Sequence, residues 1–552
     1  MAGPKSKSLL YACCALMLVG VVGVVVWISV FSSRSRCPHG SFSKAAVAAD
    51  SEICSQIGRD MLQKGGSAVD GAIAALLCTS LVNPQSMGIG GGAIFTVMDS
   101  SGNVKIIVSR ETVPKMVKPD LLKTCPEKFR FLSGPDFIGV PGEIRGYELA
   151  HALYGKLPWA TLFQPTIKLA REGLPITPVT GKYIPLINKN FSLYKLFSDA
   201  NGNPLETGDI VKFDKLADTL EAIANHGPKA FYTGKIAEDL ISDIQEEGGT
   251  LTLQDLASFS ASLYDPLVFP FQEFEVYVPP PPAGGAILAL ILNILKGYNW
   301  DAKALTLEEK TLAYHRYIEA FKFVNGLKKR IEDPNTSNKI ARTVIQDSFA
   351  DHIRTLISNR IHEDQYYNLT SYLDSMGTTH MSILAEDGSA VSITSTINHI
   401  FGSQILSTKT GIILNNQIAD FCGKTEEIHA GERPPSSASP AVLKSQSRTL
   451  VIGGSGGTMI TTGIASTLMN ELWFGKSLKE AIESPVVFIN SANHPQFERE
   501  FDQKIIEGLI AFGHKYDPRI STFYNVVNAV EKDGDCICAV SDARKMGKAA
   551  GY

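Results

Sequence analysis

Basic charge is not in excess in this 552-residue chain: 52 Lys and Arg face 56 Asp and Glu, a formal net charge of −4. A nucleic-acid partner requires a basic surface against the phosphates, so that class of ligand is not expected. Cysteine is scarce at nine residues, and no second Cys or His pair at zinc-site spacing accompanies Cys536-x-Cys538, which argues against a metal site. Internal repeats and low-complexity tracts are absent. Long uncharged apolar runs are absent too, with one exception at Leu9–Phe31. The remainder is ordinary for a globular protein, with 44% hydrophobic and 20% charged residues over a length ample for a large packed core.

As a helix, the Leu9–Phe31 run would extend roughly 34 Å, enough to cross a bilayer. Lys5 and Lys7 precede it and Arg34 and Arg36 follow it, so charge bias orients it weakly. The segment before it is too short to hold a domain, and Asn-x-Ser/Thr sites follow at Asn190, Asn335 and Asn368. These features read as an uncleaved signal-anchor: a cytoplasmic tail over 1–8, a span over 9–31, and the body outside the cell as a single-pass type II protein. A cleavable signal peptide is the alternative, although its apolar region is shorter, about 7–15 residues. Cys13 and Cys14 fall inside the run, open to palmitoylation or simple packing; the other cysteines are odd in number, so at least one is unpaired.

Beyond the run, Ser51–Lys64 and Ser67–Leu81 have helical periodicity, broken at Gly65-Gly66, with Ser67 as a cap. Ala93–Val108 reads as a hairpin around Asp99-Ser100-Ser101-Gly102. Residues 141–271 read as mainly helical, and Pro279–Pro282 as a stiff turn before an apolar helix opening at Ala283-Gly284-Gly285. The polar stretch 333–376 lacks apolar periodicity. Strands follow, including one at Thr449–Ile452, and then a helix from about Met459. Strands then helices, twice over, give an α+β layered body.

Gly377-Thr378-Thr379-His380-Met381-Ser382 opens the most informative stretch. Met381, Ile383, Val391 and Ile393 alternate with polar neighbours around an Asp387-Gly388 turn, a hairpin pattern that puts Thr378 at the first position of a core strand. Taken alone, that threonine is an ordinary strand former. Several further motifs stand in fixed order: Asn83–Gly92, Arg110-Glu111-Thr112, Gly139–Glu143, Pro279–Gly285, Thr394-Ser395-Thr396-Ile397-Asn398, Gly411–Asn416, Pro435-Ser436-Ser437 and Ala549-Ala550-Gly551-Tyr552. Together they resemble the γ-glutamyltransferases, a family of N-terminal-nucleophile hydrolases, over essentially everything beyond about residue 40. The resemblance implies a four-layer αββα sandwich, a Cys54–Cys78 disulfide, and no metal or organic cofactor. A second disulfide of some relatives has no matching cysteines near Asn188–Phe197.

It also implies that the chain cuts itself between Gly377 and Thr378, leaving a large subunit (32–377) and a small one (378–552). A hydroxyl is a weak nucleophile until a base takes its proton. A free α-amine, with a pKa of about 7.7–8.0, is such a base, and an internal threonine has none. The same hydroxyl would first attack the Gly377 carbonyl, where glycine adds little bulk. Thr396 matches the family threonine that supports the nucleophile; a solvent-facing strand threonine is the plainer alternative. For a γ-glutamyl head group, the matches assign Arg110 to the α-carboxylate, with Ser436 and Ser437 as donors. Asp420 and Gln417 fall to the ammonium, and Asn398 to the α-amino end. Some relatives carry Glu at the Gln417 position and Asp at the Ala419 position.

Gly453-Gly454-Ser455-Gly456-Gly457 admits three readings. It lacks the Gly-Lys-Ser/Thr ending of a nucleotide loop. It fits the Gly-x-Ser-x-Gly elbow of α/β serine hydrolases, with Asp502 and His514 following in chain order. The resemblance instead makes Gly456 and Gly457 the backbone donors of an oxyanion hole. His380, two residues past Thr378 on the same strand face, reads as structural. The implied activity is γ-glutamyl transfer or hydrolysis on glutathione and its conjugates, with water, amino acids or dipeptides as acceptors. Gly431–Ser437 and Asp420-Phe421-Cys422 look most like the γ-glutamyl leukotrienase branch, and Ile400, where an aromatic is common, would admit bulky conjugates such as leukotriene C4. The rivals are a serine hydrolase using Ser455 and a surface pseudoenzyme that fails to cut.

Overall fold

The computed structural model describes residues 40–126, 131–298, 300, 305–332, 337–368, 377–424, 427–490, 492–516 and 525–552. The expected anchor at 9–31 and the Asn335 site lie outside them. No helix among the described residues is long and apolar enough to cross a membrane. Of the two compact units, Met1–Ser41 is described only at its last two residues; Phe42–Tyr552 holds all that follows.

Two sheets form the centre of that unit. Their strands, in chain order, are β1 (Ala46–Ala48), β2 (Gly92–Met98), β3 (Val104–Val108), β4 (Ser262–Tyr264), β5 (Leu267–Phe271), β6 (Phe274–Val278), β7 (Thr379–Leu384), β8 (Ala390–Thr396), β9 (Ala441–Lys444), β10 (Arg448–Ser455), β11 (Val526–Asp533), β12 (Cys536–Val540) and β13 (Ala550–Gly551). The first sheet runs β13-β1-β7-β8-β2-β3-β4 and the second β12-β11-β10-β9-β6-β5. Met98, Leu384 and Ala390 of the first meet Val442, Val451 and Val530 of the second in an apolar layer.

Helices cover the outer faces. α1 (Glu52–Gln63), α2 (Ala68–Val82) and α3 (Glu143–Tyr154) pack with Phe95, Met381, Ile383, Val391 and Ile393. α4 (Gly285–Lys296), α5 (Leu307–Glu332), α6 (Ile460–Leu468) and α7 (Gln503–Ala511) pack with Val276, Leu443, Ile452 and Ala529 of the second sheet. The order is helices, sheet, sheet, helices, a mixed α and β architecture. Ser67 caps α2 through a box in which Asp70 N–H donates to Ser67 Oγ (3.1 Å) and Ser67 N–H to Asp70 Oδ2 (2.8 Å). A Cys54–Cys78 disulfide joins α1 to α2.

The hairpin around Asp387-Gly388 is present as β7–β8, with Gly388 at φ 84°. Its polar side is not a solvent face. Both strands are buried throughout, because the second sheet covers what the alternation alone would leave wet. Ser382 Oγ donates to the Asn528 carbonyl (3.0 Å) and Ser392 Oγ to that of Ile452 (2.9 Å), so the small hydroxyls fasten sheet to sheet.

Two local readings change. The stretch read as aperiodic holds helices Ser337–Val344 and Asp347–Leu356, whose Ala341, Val344, Ala350 and Ile353 reach the second core at helical spacing. The end of the segment read as helical contains β4 and β5. In β5, Leu267, Phe269 and Phe271 are buried while Val268 and Pro270 are exposed, and its position at the sheet edge tolerates the proline.

Candidate active site

Thr378 does not open β7; it stands one residue before it, in a left-handed conformation (φ 93°) that a β-branched residue rarely adopts. Such backbone costs on the order of 1–3 kcal/mol and persists only where its surroundings fix it. Here they do. The Thr378 N–H donates to the Ser86 carbonyl (3.3 Å), its carbonyl accepts from Lys545 Nζ (2.6 Å), and its Oγ1 donates to Thr396 Oγ1 (3.3 Å). Thr396, 7% exposed and so not solvent-facing, also accepts from the Asn398 N–H (2.8 Å). Gly377, at φ 147°, has no room for a Cβ, which would collide with the Asn398 carbonyl oxygen. The Gly456 N–H donates to the Gly377 carbonyl oxygen (3.2 Å). An expected oxyanion donor is thus in place on the bond expected to break.

Lys545 was not marked by any motif. Nearly fully buried, it donates to Asp50 Oδ2 (2.8 Å) and Ser455 Oγ (3.0 Å) as well as to Thr378. Asp50 also accepts from Thr379 Oγ1 (2.7 Å) and Asn528 Nδ2 (2.8 Å). The buried pair therefore ties the Thr378 carbonyl and the Thr379 side chain to Asn528 of the second sheet.

A cleft joins Thr378 to the expected head-group residues: Arg110, Thr396, Asn398, Gln417, Asp420, Ser436, Ser437 and Gly457 all line it. Arg110 follows β3 and is 3% exposed. Its Nε donates to the Pro434 carbonyl (2.7 Å), and its Nη2 to the Pro435 carbonyl and to Asp420 Oδ2 (both 2.6 Å). Gln417 Nε2 donates to the same Asp420 oxygen (2.6 Å), the reverse of the acceptor role expected of it. The expected cation and anion are thus each other's partner. Burial raises the Asp420 carboxyl above its usual range, with Arg110 pulling it back. Glu111, adjacent in sequence, has no hydrogen-bond partner for either oxygen among the described residues, and burial pushes its carboxyl up to about 8 against the pull of Arg110. Ser436 Oγ accepts from the Ala438 N–H (3.1 Å).

Sequence reasoning missed three other residues of this wall. Lys328 of α5 and His399 line the cleft, as does Cys422, which is disulfide-bonded to Cys125. Burial holds the His399 ring near 4, hence neutral. The only sequence signal was the place of Cys422 in the Asp420-Phe421-Cys422 motif. Ile400 packs in the first core, 2% exposed, and not on the cleft wall.

The serine-hydrolase reading is not assembled. Ser455 is fully buried against Lys545, His514 faces His315 (2.8 Å), and Asp502 caps α7 through the Lys504 N–H. His380 engages Thr394 Oγ1 (2.9 Å) and Ser382 Oγ (3.0 Å), and burial lowers it to about 3, a neutral ring between the sheets. His315, Glu319 and His514 form a buried group with metal-ligand chemistry, but Lys322 occupies it, donating to Glu319 Oε1 (3.0 Å). Asn190 and Asn368 are both exposed.

Residues 54–552 match the family model described as gamma-glutamyltranspeptidase. The chain is 44% identical to the Glutathione hydrolase 5 proenzyme of Mus musculus and 42% to that of Homo sapiens, each over 98% of both chains. Its fold is similar to that of cephalosporin acylase from Bacillus halodurans, with a TM-score of 0.82 and 24% identity over 94% of this chain and 97% of that one.

Proposed function

The chain belongs to the gamma-glutamyltranspeptidase family, and from that premise we propose a self-processed enzyme that takes γ-glutamyl groups from glutathione and its conjugates. It is an enzyme of the glutathione hydrolase type; the rest of this reading is the route. Thr378 Oγ attacks the Gly377 carbonyl, the Thr378 nitrogen leaves, and the resulting ester is hydrolysed. The new α-amine then serves as base to the hydroxyl beside it. In turnover, Thr378 Oγ attacks the donor's γ-amide while the Gly456 and Gly457 N–H groups stabilise the oxyanion. The amine product departs, cysteinylglycine in the case of glutathione. Water, an amino acid or a dipeptide then resolves the γ-glutamyl ester. Arg110 takes the substrate α-carboxylate and Asp420 its ammonium, so binding exchanges one internal ion pair for two intermolecular ones.

The observation that carries this reading is the Gly456 N–H on the Gly377 carbonyl, in a chain whose Thr378 hydroxyl touches Thr396 (3.3 Å). The products are a large chain ending at Gly377 and a small chain of 378–552 that stay together as a heterodimer. The Leu9–Phe31 run supports a membrane anchor with the catalytic body outside the cell, where Asn190, Asn335 and Asn368 would meet the glycosylation machinery. Leukotriene C4, cut to its D4 form, is the conjugate favoured by the branch resemblance. Terminal sequencing of the smaller fragment tests the cut: it should begin Thr-Thr-His. Thr378→Ala should leave one uncut, inactive chain, and Ser455→Ala should still process. Wild-type protein that stays intact would make this a non-cutting surface protein.

A further inference from the structure

Substrates of the glutathione class bring thiols into the cleft, and a pair of bonded sulfurs stands at its wall. Cys125 and Cys422 are joined across 297 residues of chain. Cys422 lines the cleft two residues beyond Asp420, and Pro126, next to Cys125, lines it as well. Cys422 packs with Phe137, Ile418, Ala419 and Phe421. The bond therefore fastens the short turn of 3-10 helix Gln417–Phe421, which presents Gln417 and Asp420, to the loop that follows Leu121–Thr124. Cys422 lines the cleft but is only 9% exposed, whereas Cys125, which does not line it, is partly exposed, so a thiol arriving from solvent outside the cleft reaches the bond on the Cys125 side. The Cys54–Cys78 pair offers no such access, both residues being fully buried.

We propose that Cys125–Cys422 is a thiol-exchange site for small thiols of the glutathione class, and that until exchanged it ties the two processed chains together covalently. The second half rests on the cut at Gly377–Thr378, which places Cys125 in the large chain and Cys422 in the small one. A thiolate attacks Cys125 Sγ, the protein S–S bond breaks, and Cys422 leaves as a thiolate that takes a proton. Cys125 then carries a mixed disulfide. A second thiolate attacks the small molecule's sulfur, releasing a small-molecule disulfide and the Cys125 thiol. Two small thiols are oxidised and one protein disulfide is reduced. Opening the tie loosens the Asp420 turn but not Thr378, which the separate Lys545–Asp50 pair holds. The disulfide is thus a positioning element for head-group binding.

Cys536 is also disulfide-bonded, so the test uses a Cys536→Ser background. Purified protein should run as one band on a denaturing gel without reductant and as two with it. Adding Cys125→Ser should give two bands in both lanes. Two bands without reductant in the Cys536→Ser protein alone would overturn the tie while leaving the cut intact. One band in both lanes would overturn the cut, and the interchain tie with it. With γ-glutamyl-p-nitroanilide, a donor without a thiol, Cys125→Ser/Cys422→Ser should raise KM about fivefold, the scale of one misplaced hydrogen bond, with kcat little changed. Wild-type protein incubated with reduced glutathione and desalted should show the same rise, with a glutathione adduct on Cys125 by mass spectrometry. An unchanged KM in both, without adduct, would refute the exchange site.

Discussion

Arg110→Lys separates the two things an arginine supplies, since it keeps the charge and removes the fork. In this cleft the guanidinium donates to three acceptors, the buried Pro434 carbonyl and the part-buried Pro435 carbonyl and Asp420 carboxylate. A lysine ammonium at the end of its stem can keep the ion pair with Asp420, but it cannot span the two carbonyls as well. Each buried acceptor left without a donor costs about 1–3 kcal/mol. The bidentate hold on a substrate α-carboxylate is lost in addition. The two carbonyls are orphaned in the free variant and in its complex alike, so their cost falls on stability, whereas the lost charge-assisted contact with the substrate, about 1.5–3 kcal/mol, gives roughly 10- to 100-fold in kcat/KM. The assay is steady-state hydrolysis of γ-glutamyl-p-nitroanilide, with a gel run in parallel to establish that the variant is processed. Arg110 is remote in sequence from the cut, so processing should be close to normal and the loss should fall mainly on KM. A processed Arg110→Lys protein whose KM stays within about twofold of wild type would show that charge alone suffices, and the fork argument would fail.

Lys545→Met strands Asp50 as a buried charge and should cost about 3–5 kcal/mol of stability, read as a lowered thermal midpoint; Lys545→Met with Asp50→Asn should recover much of it, and no recovery would count against the pairing. Burial already raises the Asp420 carboxyl and Lys328 opposes that rise, so the acid limb of kcat/KM should lie above the ordinary carboxylate range. Lys328→Met should move this limb to still higher pH, and a limb that stays put would remove Lys328 from the electrostatics of the cleft. Burial pushes Glu143 up to about 8, so between its ordinary value and 8 the folded state holds a proton that the unfolded chain releases, and stability falls as pH rises across that window. Glu143→Gln, which can still meet Tyr147 and Ser395, should flatten the decline in thermal midpoint from pH 5 to 8; an equally steep decline would assign the effect to other groups.

Short-range chemistry was readable in the sequence. Ser67 announces the start of α2, and Asp387-Gly388 between alternating strands announces the β7–β8 turn. The meaning of the polar alternate positions was not readable, because a strand does not record what covers its second face. Ser382 and Ser392 look like a wet edge and are instead the fastening between two sheets. Helices Ser337–Val344 and Asp347–Leu356 were lost because each is short and shows only one or two core positions per turn. The cleft divides in the same way. Arg110 and Asp420 were nameable from motifs, but their mutual pairing spans 310 residues and is a property of the folded chain. Lys545, Lys328 and Cys125 carry no local signature; each matters only through a partner brought near by folding. Glu111 beside Arg110 shows nothing in sequence of the burial that pushes its carboxyl up to about 8.

The strand order of the first sheet limits what the cut can do. Ala46–Ala48 comes from before Thr378, yet it lies between β7 and β13, which both come from after it, and it pairs with each of them. On the other side, β8 from after the cut pairs along its whole length with β2 from before it. The two pieces are woven through one another like alternate planks of a floor. With the proposed cut at Gly377–Thr378, the body reaches its final topology as a single thread and is severed afterwards, and fragments made separately would have to rebuild the sheet strand by strand. Mixing differently labelled mature molecules should therefore produce no hybrids over days, since exchanging one piece means dismantling the scaffold that both share.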